Sequence, residues 1–556
     1  MFTYLRQSLG NLDVLGIFVF CFILLLTEYQ PSWWIQCKKA ATVIRRKKKG
    51  PLTVYDIPGP MTFPIIGTRW IYSYGKYKMD KIHEAYRDMF CTYGKIVKEE
   101  ALWNFPVINL LAREDIEKVL KYSSKYPLRP PTEVISHYRK SRPDRYTNLG
   151  LVNEQGEIWH NLRNSLTPEL TSVATMQRFL PELNIVADDF NKLLLMSRDE
   201  NGVIKHFEEL ANRMGLESSC TLILGRRLGF LDNTLDPKAE KLASAVQTQF
   251  RASRDTFYGL PIWKVFPTAA YKQLIQSEDS LYDIISEIVE KALEEEEATC
   301  ATETVRSVFM SILHSPNLDI RDRKAGIIDF IAAGIKTLGN TLVFLMYLIA
   351  KNPRVQQKLY EEIIELTSQG TTITSEVLKG AIYLRACIME VFRVLSTAPC
   401  VARIIETDMQ LSGYNLKAGS VVLCHTWLAS QEEENFTSAK EFIPERWLTN
   451  QCSCDTPNLQ SKNCTEPCDT WCLKRESCVC ALHNAKLRSF LVAPFGVGRR
   501  MCPGKRFVHM ELQVVLAQTV RQFEIAYDGE LGLQFEFLLA PEAPVNFIFK
   551  DRNIDC

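Results

Sequence analysis

The chain has 556 residues, 46% hydrophobic and 24% charged, with a formal net charge of +1. That length and composition support a large folded core and exclude a disordered or fibrous chain. Near-neutrality excludes a global field for nucleic acid or acidic substrates, so any partner must be met by a local patch.

Residues 1–55 read as a membrane anchor or targeting segment. The run "VLGIFVFCFILLL" (14–26) is thirteen uninterrupted apolar residues, fewer than the ~20 that cross a bilayer comfortably. Trp33 and Trp34 would form an interfacial belt. The basic run "RRKKK" (45–49) would stay on the cytoplasmic side of an endoplasmic-reticulum anchor. An organelle-targeting leader is the alternative, and the basic cluster opposes a cleaved secretory signal. Residues 56–68, "DIPGPMTFPIIGT", form a stiff extended hinge, because prolines fix φ and forbid helix.

No linker interrupts residues 69–556, which are expected to form one body. From about 76 to 250 the apolar spacing is mostly helical. "GEIWHNLRNSLTPEL" (156–170) is one such helix, ended at Thr167-Pro168. Strand-like pieces occur at 106–111, 151–156 and 418–429.

Residues 325–351, "AGIIDFIAAGIKTLGNTLVFLMYLIAK", are apolar almost all round, which predicts a buried helix stopping at Asn352-Pro353. Gly326, Gly334 and Gly339 each weaken it by about 1 kcal/mol relative to alanine. They imply a helix crossing or a close approach to the backbone. Lys336-Thr337 lacks the glycine-rich loop of a phosphate site. "HEAYR" (83–87) lacks the second histidine of a zinc-protease helix.

Glu390 and Arg393 are three apart, hence on one helix face. Glu445 and Arg446 in "FIPERW" make a second charged pair in an apolar setting. The two pairs form either one internal network or separate surface bridges. A buried arginine needs more than one carboxylate to satisfy its donors.

"PFGVGRRMCPGKRF" (494–507) carries Cys502 among glycines, prolines and cations. A core cysteine normally occupies an apolar face. These neighbours instead suit a thiolate meeting a large anionic ligand. Seven other cysteines crowd into 452–480, inside an insertion at 451–481. No known zinc spacing matches and the count is odd, leaving a surface insertion as the first reading and a metal or redox role as the second.

Together these segments resemble the cytochrome P-450 superfamily over nearly all of the chain after the anchor. The signature F-x-x-G-x-R-x-C-x-G is met by Phe495, Gly498, Arg500, Cys502 and Gly504. Glu390 and Arg393 match E-x-x-R, with Arg446 of P-E-R-W as third member, and Trp159 and Arg163 match W-x-x-x-R. The resemblance implies a mainly α fold with small β-sheets, and haem b held between a long central distal helix and the proximal cysteine loop. It implies a monooxygenase taking O2 and electrons that originate in NADPH. Cys502 would be the iron's thiolate ligand, and Phe495 would shield its sulfur. Gly498 and Gly504 would let backbone amides turn toward the sulfur. Arg500 would hold a haem propionate, with Arg403, Trp159 and Arg163 as further candidates. Gly334 would open the distal helix for dioxygen and Thr337 would hydrogen-bond it. The acid usual before that threonine is replaced by Lys336. Either lysine and water relay the proton, or the chemistry is altered. Altered chemistry admits an isomerase or dehydratase needing no electron donor; a non-catalytic haem-dependent sensor is a third reading.

More narrowly, residues 93–100, 129–163 and 498–507 resemble the mitochondrial clan, which takes electrons from an acidic adrenodoxin-type ferredoxin. Lys505, Arg506 and Arg385 would face that partner, although Met389 stands where a second cation is usual. NADPH-cytochrome P-450 reductase is the alternative donor. Residues 332–353 and 502–523 most resemble the arthropod ecdysteroid 20-hydroxylases, which implies a steroid substrate. Ile335, Ala398 and 537–542 would line an apolar pocket that also suits another sterol, a fatty acid or a xenobiotic. The expected compartment is the mitochondrial inner membrane, matrix side, with the endoplasmic reticulum as alternative.

Overall fold

The fold is built around one helix, Ile320–Ala350. Its start is capped by Asp319, whose Oδ1 accepts from the Arg321 amide at 2.9 Å. Its end falls just before Pro353, which opens the next helix, Pro353–Leu366. The apolar pattern begins only at 325 because the first turn carries charges, among them Asp322, buried and accepting from the Thr147 amide at 3.1 Å. Most of the apolar length is buried within the protein, which makes it a core helix. The computed structural model describes residues 51–225, 227–232, 237–298, 307–313, 315, 318–367, 372–448 and 490–552. Residues 1–50 and the insertion at 451–481 lie outside the described residues.

The helix Phe207–Leu224 crosses the central helix at close range. A Cβ on Gly334 would stand 1.8 Å from Ser219 Oγ, and one on Gly339 would stand 2.4 Å from Asn212 Oδ1. Gly326 packs in the same way against Leu166. Close packing against neighbouring helices therefore accounts for all three glycines.

A four-stranded sheet flanks this helical core in the order Ile96–Glu100, Pro106–Leu110, Val421–Cys424, Val401–Ile404. The first pair is antiparallel, with Val97 opposite Asn109. The next is parallel, with Val107 opposite Val421, and the last is antiparallel, with Arg403 opposite Val422. The strand expected across 418–429 is thus only four residues long, and the chain turns into the helix Thr426–Ser430.

Residues 151–156 are not a strand. They hold the end of a short helix, Gly150–Asn153, and the start of another, Gly156–Leu166. Asn148 Oδ1 accepts from the Gly150 amide at 2.8 Å, and Glu154 Oε2 accepts from the Leu149 amide at 2.9 Å. Such local side-chain bonds compete with a sheet ladder.

The proline-rich segment lies along the sheet edge. Lys98 N donates to Pro58 O at 2.8 Å and Thr68 N donates to Glu100 O at 2.8 Å. Ahead of it, Leu52–Thr53 pairs in parallel with Tyr414–Leu416. Its prolines stiffen a strap that is already part of the body.

The two charged pairs read from sequence are resolved differently. Glu390 and Arg393, on the helix Ile382–Val394, are both 0% exposed. Arg393 Nε and Nη2 donate to the two Glu390 oxygens at 2.9 and 2.7 Å. Arg446 Nε adds 2.8 Å to Oε1 and Trp447 Nε1 adds 2.8 Å to Oε2. The remaining guanidinium donors end on backbone carbonyls, among them Glu441 O at 2.7 Å and Thr437 O at 2.9 Å. Glu445 is outside this network, accepting from Lys358 Nζ at 2.7 Å. The internal network is therefore Glu390, Arg393, Arg446 and Trp447, without a Glu445–Arg446 pair.

Candidate active site

The loop carrying Cys502 is fixed by its own backbone. Cys502 N donates to Phe495 O at 2.8 Å, and Met501 N donates to Gly498 O at 3.0 Å. Gly496 and Gly498 both sit at φ +70°, a conformation that side-chain-bearing residues rarely take. The loop runs into the helix Lys505–Gln522. The amides of Gly504 and Lys505, at that helix start, point at the Cys502 sulfur. Phe495 packs edge-on against Phe392, with ring centroids 5.2 Å apart.

The sulfur opens into a cavity of about 420 Å³ between this loop and the central helix. Burial among protein atoms pushes the Cys502 thiol up, against the two amides and Arg163, which favour the thiolate. Burial thus favours the protonated thiol, and a bound metal cation would displace that proton.

One wall of the cavity carries Arg129, Arg163, Arg403 and Arg500. Arg500 Nε donates to Pro127 O at 2.9 Å, and Nη2 donates to Glu154 O at 2.7 Å. Its Nη1 is buried with no hydrogen-bond partner. The guanidinium lies 4.0 Å from the Trp159 ring centre. Arg403 Nη2 is held by Val497 O at 3.0 Å. Burial, followed by repulsion from Arg129, Arg403 and Arg163, lowers the Arg500 pKa to about 9. Four arginines beside an apolar void, one with an orphaned donor, call for an anionic ligand with a large apolar body. A haem with its two propionates would fit this wall, and Cys502 would be the residue to hold its iron.

On the opposite wall the central helix presents Asp329, Ala333, Thr337 and Thr341 at four-residue spacing. Thr337 Oγ1 donates to Ala333 O at 2.6 Å, and Thr341 Oγ1 donates to Thr337 O at 2.7 Å. Gly334 also lines the cavity. Lys336 does not. Its side chain is buried on another face of the helix, where burial lowers its pKa and Glu536 opposes that shift. Lys336 is therefore not brought to the cavity wall, where the expected relay would need it. Ile335 is likewise buried away from the void, whereas Ala398 and Leu538 line it.

On the outer side of the cysteine loop, a depression of about 600 Å³ is lined by Lys379, Lys505, Arg506 and Arg163, with no acidic residue among its lining. Arg385 is not part of that lining. Its Nη1 donates to the carbonyls of Leu378 and Lys379, at the end of the helix Ser375–Gly380. It anchors the helix that presents Lys379. Sequence reasoning missed Arg129, Lys379 and Asp329 as site residues. None lies in a spaced motif; Arg129 is visible only as a cation inside the "RPPTE" run.

A family model described as Cytochrome P450 matches residues 57–548. A 518-residue stretch is 46% identical to the Drosophila melanogaster protein "Ecdysone 20-monooxygenase", covering 91% of this chain and 90% of that protein. The chain is 31% identical to "Cytochrome P450 CYP12A2" of Musca domestica, over 79% of this chain and 80% of that one. It is 28% identical to "Cytochrome P450 302a1, mitochondrial" of Drosophila melanogaster, over 88% of this chain and 94% of that one.

Proposed function

The chain belongs to the cytochrome P450 family, and we propose that it is a haem-thiolate monooxygenase that hydroxylates ecdysone at carbon 20. The observation that carries the substrate is the 46% identity to an ecdysone 20-monooxygenase over nine-tenths of both chains. An apolar void above a cysteine sulfur, closed by four arginines, supports the reaction class.

The haem supplies the activation of dioxygen, one oxygen atom entering the substrate and the other leaving as water, with two electrons and two protons consumed. Cys502 is the proposed iron ligand, with Gly504 and Lys505 amides tuning its sulfur. Arg500, Arg129, Arg163 and Arg403 are proposed to hold the propionates, with Trp159 as the platform under Arg500. Phe495 limits water at the sulfur. Thr337 is the proposed hydrogen-bonding group on the distal side. Its hydroxyl is held by Ala333 O and can turn to a partner in the cavity.

The electrons are proposed to start from NADPH and arrive through an adrenodoxin-type ferredoxin. The all-cationic charge of the depression beside Cys502 supports an acidic partner, and relatives named as mitochondrial support a mitochondrial location, proposed here as the inner membrane.

The test is a reduced, carbon-monoxide difference spectrum followed by turnover of ecdysone with NADPH, offered either the ferredoxin chain or the microsomal reductase. A thiolate-type band and 20-hydroxyecdysone with ferredoxin are expected. The band without product overturns the substrate; product only with the microsomal reductase overturns the partner.

A further inference from the structure

We propose that Asp329, held by Arg139, is a binding site for a hydroxyl group at the end of the substrate remote from the oxidised carbon. The inference rests on the steroid reading above and adds the feature that would orient the steroid.

Asp329 is the one carboxylate among the residues lining the cavity. Its side chain is 23% exposed, and Arg139 behind it is 7% exposed. Arg139 Nη2 donates to Asp329 Oδ1, and the guanidinium lies 4.7 Å from the Tyr146 ring centre. Among the described residues, Asp329 Oδ2 accepts no hydrogen bond. Arg139 Nε and Nη1 are buried without partners. A buried guanidinium with two idle donors beside a carboxylate with an idle oxygen is costly unless a ligand completes it. Gly150 keeps the space open. A Cβ there would stand 2.0 Å from Arg139 Nη1 and 2.9 Å from Asp329 Oδ2.

The charge decides the ligand's chemistry. An unpaired aspartate in an apolar cavity would draw a cation. Here Arg139 neutralises the carboxylate, and Glu278, the other carboxyl it faces, is driven toward its neutral form by burial, so an amine gains little. A neutral hydroxyl can donate to Oδ2 without adding charge. The distance decides where on the ligand it lies. Asp329 and Thr337 share the cavity face of the central helix and are eight positions apart, about 12 Å at the helical rise. A molecule oxidised beside Thr337 and Cys502 would reach Asp329 with its far end. In a steroid oxidised on the side chain, that end is ring A.

The experiment measures equilibrium binding to the haem-loaded protein by calorimetry, for ecdysone and for its analogue lacking the ring-A hydroxyls, in wild type and in Asp329→Ala. In wild type, loss of the hydroxyls should weaken binding about ten- to a hundredfold, the order expected for a hydrogen bond to a charged group. In Asp329→Ala the two steroids should bind alike, and the deoxy analogue should bind as it does in wild type. Asp329→Asn, which keeps an acceptor, should restore part of the preference. Two steroids that bind wild type equally overturn this inference and leave the steroid reading intact. Tighter binding of a ring-A amine than of the hydroxyl overturns the assignment to a neutral group. Failure of every steroid to bind overturns both, and the wild-type comparison needs no variant to fold.

Discussion

Glu511 shows how far a residue's environment can depart from what its neighbours in sequence suggest. In "KRFVHMELQVVL" it reads as an ordinary charge on a helix. The structure buries it, with Ser218 Oγ donating to its Oε1 at 2.6 Å and Oε2 without a partner. Burial pushes its carboxyl up to about 8, opposed by the Ser218 bond. An unfolded glutamate titrates near ~4.3, so between that value and about 8 the native state keeps a proton the unfolded state has released. Stability therefore falls as pH rises through this window, and the whole contribution is lost above it. Glu511→Gln should stabilise the protein at pH 8 by on the order of a few kcal/mol and change little at pH 4. Denaturant melts at both values check this; equal effects at the two pH values would mean the carboxyl titrates normally.

The helix Ile382–Val394 and the short helix Pro444–Trp447 are far apart in sequence and joined by one carboxylate. Glu390 receives Arg393, Arg446, Trp447 Nε1 and the Ile443 amide. A fully buried ion with this many donors is a joint whose loss is felt by both elements. Arg393→Met would leave the Glu390 charge buried with two of its five donors gone, at a cost of about 3–5 kcal/mol. Lys417→Met, at an exposed pair with Asp408, should change stability by less than ~1 kcal/mol. Urea midpoints of the two haem-loaded variants make the comparison, and equal midpoints would show the joint to be dispensable. Sequence spacing revealed the Glu390–Arg393 pair. It could not reveal that Glu445 turns to Lys358 while Arg446 turns inward, because neighbours on a short helix point to different sides.

At the scale of the whole molecule, the cysteine loop separates two surfaces of opposite use. Inward lies the apolar cavity; outward lies the cationic depression with Lys379, Lys505 and Arg506. Reversing two charges, Lys505→Glu with Arg506→Glu, should raise the KM for an acidic ferredoxin at low salt. The carbon-monoxide spectrum should be unchanged. The penalty should shrink as ionic strength shortens the reach of the charges, to about 8 Å at physiological salt. Salt-dependent steady-state kinetics read this out. An unchanged KM would place electron entry elsewhere.

The sequence by itself determined the family, the mainly α fold, the cysteine loop and the long buried helix. Each rests on local rules: glycine conformations, helical spacing of apolar residues, and a cysteine set among cations. Only the tertiary structure decided the direction of each side chain on that helix. Thr337 and Asp329 face the void, while Lys336, next to Thr337 in sequence, is buried on another side. At 3.6 residues per turn, adjacent positions diverge by about 100°, so the site depends on which face the neighbouring helices cover. The same holds for Arg129 and Arg139. No spacing marks them, because their partners come from segments brought near only by folding.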